Sequence, residues 1–253
     1  MAVDEAEAPD RLLIEALALT PDVEPVDERV RAGEIVGLAG LDGHGQEAFL
    51  EALCGLHPPA SGRVMVVANR HSVPVTSFPQ AVRHGVAYMA RDRRANGIFP
   101  SLSILDNFGL VSMNRDRRFG LIDRRNQRAR YETYRRRLSI VAPSPDRVIT
   151  TLSGGNQQKV LLARWLALGP RILLLNDPTR GVDQRTRETL YQVFRDLAGN
   201  EGMALVVLST EIEELLRLCG RVLVFREQRV VARLAGTGIS QDRMIAAMFG
   251  HVE

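Results

Sequence analysis

Lysine is nearly absent from this sequence. Of 33 lysines and arginines one is a lysine, Lys159, so no lysine is available to a phosphate-cradling loop elsewhere in the chain. Cysteine is scarce as well. Cys54 and Cys219 form no CxxC pair, which fits a reduced, cytosolic setting and reads as two buried free thiols. Aromatic residues make up 5%, so aliphatic side chains must build the core. The net charge of +3 is too small to imply a nucleic-acid partner by itself. No apolar run approaches the roughly 18 residues of a membrane span. The N-terminal RLLIEALAL is short, contains Glu15 and follows an acidic segment, so it does not read as a signal peptide.

What is present suffices for a full core. The chain has 253 residues, 45% hydrophobic and 25% charged, and forms one large domain or a domain with a subdomain. Residues 1–20 read as a flexible, frayed start or the cut end of something longer. From residue 30 on, strand and helix signals alternate. EIVGLAG is a short apolar run ending in glycines, followed by a helical stretch with Phe49, Leu50, Leu53 and Leu56. GRVMVVAN and GVAYMA read as strands. RILLLND and MALVVLST are continuous apolar runs, as strands buried on both faces should be. Helical patterns follow over Thr186 to Leu197 and Glu211 to Leu218; RVLVF-REQ-RVVARL reads as a hairpin, and Ser240 can cap a last helix. The alternation predicts an α/β fold with a largely parallel sheet.

Residues 100–147 break that rhythm. Tyr131, Tyr134, Leu138 and Val141 step by three and four along one apolar helix face, while Arg124, Arg125, Arg128, Arg135, Arg136 and Arg137 crowd the other. This reads as a helical insert with a solvated basic face. A nucleic-acid patch is the rival reading, but no aromatic platform accompanies the arginines.

Two stretches carry chemistry. GEIVGLAGLDGHGQEAF has the shape of a phosphate-cradling loop, with Gly40, Gly43 and Gly45 letting backbone N–H groups approach an anion. The second is TLSGGNQQKVLLARWLALGPRILLLNDPTRGVD. Its LSGGNQQKV sets Ser153, Gly154 and Gly155 at the mouth of a helix, where free N–H groups and the helix dipole favour an anion. An apolar strand ending in Asn176 and Asp177 follows, then TRGVD with Asp183.

The second stretch resembles the signature motif, Walker B segment and D-loop of ABC-transporter ATPases. GGNQQK and DPTRGVD are particularly similar to the second ATPase half of bacterial sugar importers of the ribose/galactose type, and YMARDRRANGIF is similar to that family's Gln-loop segment. The resemblance covers nearly the whole chain from about residue 25. It implies a P-loop NTPase (ABC ATPase) core over 21–90 and 148–253, a small antiparallel β portion, and a helical subdomain over about 91–147. It implies that the chain is the C-terminal of two ATPase halves. Two such domains pair head to tail, each ATP lying between the Walker A loop of one and the signature of the other. Further implied are ATP with Mg²⁺, a membrane permease against the helical subdomain, a periplasmic or extracellular solute-binding protein reached indirectly, no nucleic acid, and a peripheral place on the cytoplasmic face of the membrane.

On that alignment the chain's own ATP site departs from the family pattern. The phosphate-binding Lys is Gln46, and the Mg²⁺-binding hydroxyl is Glu47, whose carboxylate is itself a possible metal ligand. The Walker B aspartate is Asn176 and the general base is the shorter Asp177. The Gln-loop position is Arg91, the switch histidine is Thr210, and no aromatic precedes Phe49 to stack on adenine. Two unit charges 4 Å apart interact by about 4 kcal/mol at an effective dielectric near 20, so losing an ammonium and gaining a carboxylate beside phosphates is costly. Ser153, Gly154, Gly155, Gln157 and Asp183, which a domain gives to its partner's site, keep the pattern. The expectation is an importer ATPase domain that completes the preceding half's site while its own is degenerate. The rivals are a working ATPase with an atypical loop, a non-transport ABC protein acting on nucleic acid, and a regulatory, non-hydrolytic interaction module.

Overall fold

The computed structural model describes residues 8–68, 71–118 and 120–250. They form two compact units. The first draws on residues up to Tyr88, on Arg171–Asp177 and on the chain from Phe194; the second on Met89–Pro170 and Pro178–Val193.

The chain opens with β1 (Asp10–Ala18), β2 (Val26–Arg31), β3 (Ile35–Gly40), α1 (Gln46–Leu53), β4 (Ser61–Ala68), β5 (His71–Pro74), α2 (Phe78–Arg83) and β6 (Val86–Met89). The frayed start expected over residues 1–20 is corrected at Asp10–Ala18, while residues 1–7 lie outside the described residues. Asp10–Ala18 is an interior strand of an antiparallel sheet ordered β2-β1-β4-β5. Leu12 and Ile14 alternate onto the buried face. A bulge at Ala16, with φ of 46°, then buries Leu17 and Ala18 in succession. That bulge breaks the period-two signal by which a strand is read. Glu15 lies on the outer face and pairs with Arg63 at 2.6 Å.

The second unit contains a π-helical turn at Arg93–Gly97, then α3 (Ile104–Gly109), β7 (Arg117–Arg118), β8 (Leu121–Ile122), α4 (Arg124–Arg137) and α5 (Gly154–Leu166). Tyr131 is fully buried on α4, and Tyr134 Oη donates to the Leu166 carbonyl at 2.8 Å. Leu138 caps the helix; Val141 lies beyond it and is exposed, so the apolar stripe is shorter than expected. Four of the seven α4 arginines pair with carboxylates: Arg124 with Asp106, Arg128 with Asp146, Arg130 with Asp116 and Arg135 with Glu132. Arg164 of α5 holds the unit together. Its Nε donates to Asn107 O (2.6 Å), its Nη1 to Gly97 O (2.6 Å) and its Nη2 to Asn107 Oδ1 (3.1 Å). Burial pulls this guanidinium's pKa down to about 10, still charged at neutral pH. These bonds, with Arg115 on the carbonyls of Ala167 and Leu168, attach α5 to the helical unit. The unit is therefore larger than the expected insert of about 91–147: it takes in the signature helix and Pro178–Val193.

The chain continues with β9 (Ile172–Asn176), α6 (Gln184–Gly199), β10 (Ala204–Leu208), α7 (Ile212–Leu218), β11 (Arg221–Arg226), β12 (Arg229–Ala235) and α8 (Gln241–Phe249). The main sheet is ordered β12-β11-β3-β10-β9-β6. β11, β3, β10 and β9 run parallel, while β12 returns antiparallel from β11. β9 and β10 are buried at every residue, which is why they read as unbroken apolar runs. The β11–β12 turn is Glu227-Gln228, both left-handed (φ 49° and 66°), the backbone that a tight hairpin needs. Cys54 and Cys219 are buried free thiols, and burial pushes Cys54 up to about 12. Among the described residues no helix is long and apolar enough to cross a membrane.

Candidate functional site

The glycine loop joins β3 to α1 in the first unit. Gly43 and Gly45 have φ of 80° and 104°, a backbone that L side chains rarely adopt. The loop is stitched by two glutamines. Gln46 Nε2 donates to Leu41 O at 2.8 Å and to Gly40 O at 3.3 Å, so its side chain folds back onto its own loop. A Cβ on Gly40 would lie 2.8 Å from Gln46 Oε1. Gln228, at the hairpin turn, donates from Nε2 to Gly43 O at 2.7 Å and from its backbone N to His44 O at 2.9 Å. Nothing in the sequence marked Gln228; a left-handed turn without glycine was the available signal.

Next to the loop, β9 delivers Asn176 and Asp177. Asn176 is buried, and its Nδ2 donates to Glu47 Oε1 (2.8 Å) and to the Tyr88 hydroxyl (3.3 Å). Tyr88 also interacts with Glu51, one turn along α1 from Glu47. Burial and then the Glu47 charge raise the Glu51 pKa. Burial likewise raises that of Tyr88, which stays neutral. Asn176 Oδ1 and Gln46 Oε1 are buried acceptors without a hydrogen-bond partner among the described residues. Tyr88 and Glu51 were not foreseen as members of this cluster. Asp177 is left-handed (φ 46°) and buried. Its Oδ1 accepts from Thr210 N at 2.8 Å and from Thr210 Oγ1 at 3.2 Å, and its own N–H donates to Leu208 O. The base-like carboxylate and the residue in the switch position are thus bonded to each other.

The second unit carries the other set. Ser153 caps α5, accepting from Asn156 N (3.4 Å) and Asn156 Nδ2 (3.0 Å). Gly154 and Gly155 form the first turn, so their N–H groups have no partner within the helix. Gln157 reaches back to Leu152 O (3.0 Å) and Gln158 to Pro178 O (2.7 Å). A Cβ on Gly155 would lie 2.7 Å from Thr186, which locates α6 against the signature helix. Asp183 caps α6, accepting from Thr186 N (3.0 Å) and Thr186 Oγ1 (2.8 Å). Those bonds hold the Asp183 carboxyl below its ordinary range. Lys159 does not approach the glycines: its Nζ donates to Ser139 O at 3.2 Å. Arg91 also belongs to this unit, half-buried beside Asp92, which caps the π-helical turn.

Gly40, Gly43, Gly45, Gln46, Glu47, Asn176, Asp177 and Thr210 therefore come together in the first unit, and Ser153, Gly154, Gly155, Gln157 and Asp183 in the second. A parallel sheet whose β3 runs through a glycine turn into a helix, beside a buried strand ending in polar residues, defines a P-loop NTPase fold. Solved structures share it. An ATP-binding cassette solved as a post-hydrolysis dimer with ADP and Pi superposes with a TM-score of 0.75 at 22% identity, covering 88% of this chain and 98% of that one. A nucleotide-free cassette from an ABC transporter gives 0.79 at 14% identity, covering 96% and 99%. At those identities the likeness shows the fold alone.

The chain belongs to the ABC transporter family, whose pattern residues 23–180 match. It is 41% identical over 221 residues to a candidate ribose/galactose/methyl galactoside import ATP-binding protein of Agrobacterium fabrum, covering 87% of this chain and 44% of that protein. It is 38% identical over 241 residues to the ribose import ATP-binding protein RbsA of Geobacillus kaustophilus, covering 95% and 48%. The chain thus spans about half the length of the curated relatives it matches.

Proposed function

We propose that this chain is an ATPase domain of an ABC importer that energises uptake of a sugar or sugar-like solute, and that it works mainly by completing a partner's ATP site. The names of its relatives support the solute class. The proposed partners are an N-terminal ATPase half, a membrane permease against the helical unit and, through the permease, a solute-binding protein. The domain would sit peripherally on the cytoplasmic face of the membrane.

One observation carries the division of labour. The first-turn side chains of α1 are engaged with their own domain, Gln46 with the loop carbonyls and Glu47 with Asn176. The residues present do not fit a magnesium nucleotide. Among the described residues no ammonium serves the loop, and an incoming Mg²⁺ would have to break the bond between Asn176 and Glu47, the carboxylate nearest to it in role. Asp177 is likewise bonded to Thr210 rather than free to orient a water. At α5 the glycines stand at an N-terminus capped by Ser153, with Arg93 against Gly154 and Thr186 against Gly155. There the backbone N–H groups of the first turn would bind the γ-phosphate of an opposing ATP and stabilise charge in its transition state. The chain would therefore act by donating hydrogen bonds and D-loop geometry rather than by general-base catalysis.

A working ATPase with an atypical loop is the second reading, favoured by the Glu47 carboxylate beside β9 as a metal ligand. Four of the α4 arginines are engaged with carboxylates, which favours transport over a nucleic-acid role. ATP turnover of the chain by itself tests the choice. The proposal expects turnover near background; turnover like that of an active ABC ATPase overturns it.

A further inference from the structure

The π-helical turn at Arg93–Gly97 lies just after the Gln-loop position Arg91, and one of its residues touches two other motifs of the candidate site. Arg93 Nη1 donates to Arg180 O at 2.9 Å, and Nη2 donates to Gly181 O at 3.3 Å. The same Nη2 lies so close to Gly154 that a Cβ there would collide with it, and Nη1 is within 3.6 Å of a Cβ placed on Gly181. The guanidinium therefore fills the space between the mouth of the signature helix and the D-loop backbone, all within the helical unit.

The turn that carries Arg93 is itself fixed at both ends. Asp92 Oδ1 accepts from Arg94 N (2.8 Å) and Ala95 N (3.0 Å) at its start. At its end Gly97 O accepts from the buried Arg164 of α5. The signature helix thus reaches the D-loop by two routes. One is direct, from Gln158 to Pro178 O; the other runs through Arg164, the π-helical turn and Arg93 to Arg180 and Gly181. Burial and the neighbouring Arg94 lower the Arg93 pKa, but a guanidinium remains charged at neutral pH. A planar fork with several donors suits two successive carbonyls, which a single ammonium point charge serves less well.

We propose that Arg93 is a positioning residue for the opposing ATP site: it locks the D-loop backbone at Arg180 and Gly181 to the signature glycine Gly154, so that the two motifs face the partner as one body. This rests on the reading that the signature serves a partner's nucleotide. Because Arg93 acts through backbone it holds, its loss displaces the D-loop without removing a nucleotide contact.

The test uses the assembled protein, in which this chain faces the ATPase half it pairs with. Arg93→Ala lowers kcat by about tenfold to a hundredfold, as small misplacements do, with KM for ATP within about twofold. Arg93→Lys recovers part of the loss, since an ammonium still reaches one carbonyl. In hydrogen exchange the Gly181 and Val182 amides open faster in Arg93→Ala while the melting temperature is unchanged. Gly154→Ala forces Arg93 out of place, so the double variant R93A/G154A is no worse than the poorer single one; additive losses overturn the proposal. Wild-type kcat in R93A, with Gly154→Asp inactive, overturns the role of Arg93 and leaves the signature reading intact. Full activity in Gly154→Asp overturns that reading itself. Equal losses in R93A and R93K accompanied by a lowered melting temperature reduce Arg93 to a stability role and overturn the proposal too.

Discussion

The chain presents two helix mouths built on glycine, and they are finished in opposite ways. At α1 the glycine turn is closed by side chains: Gln46 bonds Gly40 and Leu41, Gln228 bonds Gly43, and Glu47 bonds Asn176. At α5 Ser153 caps the helix, Arg93, bonded to the D-loop carbonyls, lies against Gly154, and Gly155 is buried against Thr186. The fold supplies the same donors in both places. What differs is the side chains around them: at α1 Gln46 and Gln228 are bonded to loop carbonyls and Glu47 to Asn176, whereas at α5 Ser153 caps the helix and Arg93 is bonded to the D-loop carbonyls. The shape of a phosphate loop is thus kept by backbone constraints, while its chemistry is set by a few side chains that the fold does not require.

Gly154→Asp is the severest way to break this comparison. It sets a Cβ against Arg93 and an anion where a phosphate would bind. The ATPase of the assembled protein falls about a hundredfold, the scale of losing a preorganised donor. Equal activity would mean the α5 mouth is as idle as the α1 mouth. The comparison is sharpened by rebuilding α1. The triple variant Q46K/E47S/N176D restores an ammonium, a hydroxyl and an aspartate, and tightens Mg²⁺-ATP binding by roughly a hundredfold or about 2.7 kcal/mol in titration.

Asn176→Asp alone has a smaller effect of opposite sense. It faces a carboxylate with the Glu47 carboxylate, and costs roughly 1–3 kcal/mol of stability by chemical denaturation in chelator. One member of that pair has its folded pKa raised above the unfolded value. The penalty is therefore full at neutral pH and fades as pH falls through the raised value, and Mg²⁺ relieves it. The smallest effect concerns Asp183. Its folded pKa is lowered by Thr186, so its contribution is complete above the unfolded value of about 3.9 and is lost as pH falls through the lowered one. Thr186→Val lowers the melting temperature slightly at pH 7 and not at pH 2.

Most of the fold was legible because fully buried parallel strands leave unbroken apolar runs, as β9 and β10 do. The strand at Asp10–Ala18 was not, because the Ala16 bulge erases its alternation and Glu15 faces outward. The extent of the helical unit was also hidden. It depends on Arg164, a charged residue in a helix whose buried bonds to Asn107 and Gly97 have no local signature. At the site, the glycine and signature positions were readable from their spacing. Tyr88, Gln228 and Arg93 were not, because each meets the site from a distant part of the chain, and Glu51 was not because its role depends on Tyr88.

We propose that the α1 loop is bonded to itself and holds no magnesium nucleotide of its own, and titration of this chain with Mg²⁺-ATP decides it. No saturable binding is expected below about millimolar concentration. Micromolar binding that requires Mg²⁺ and is abolished by Glu47→Ala would contradict it.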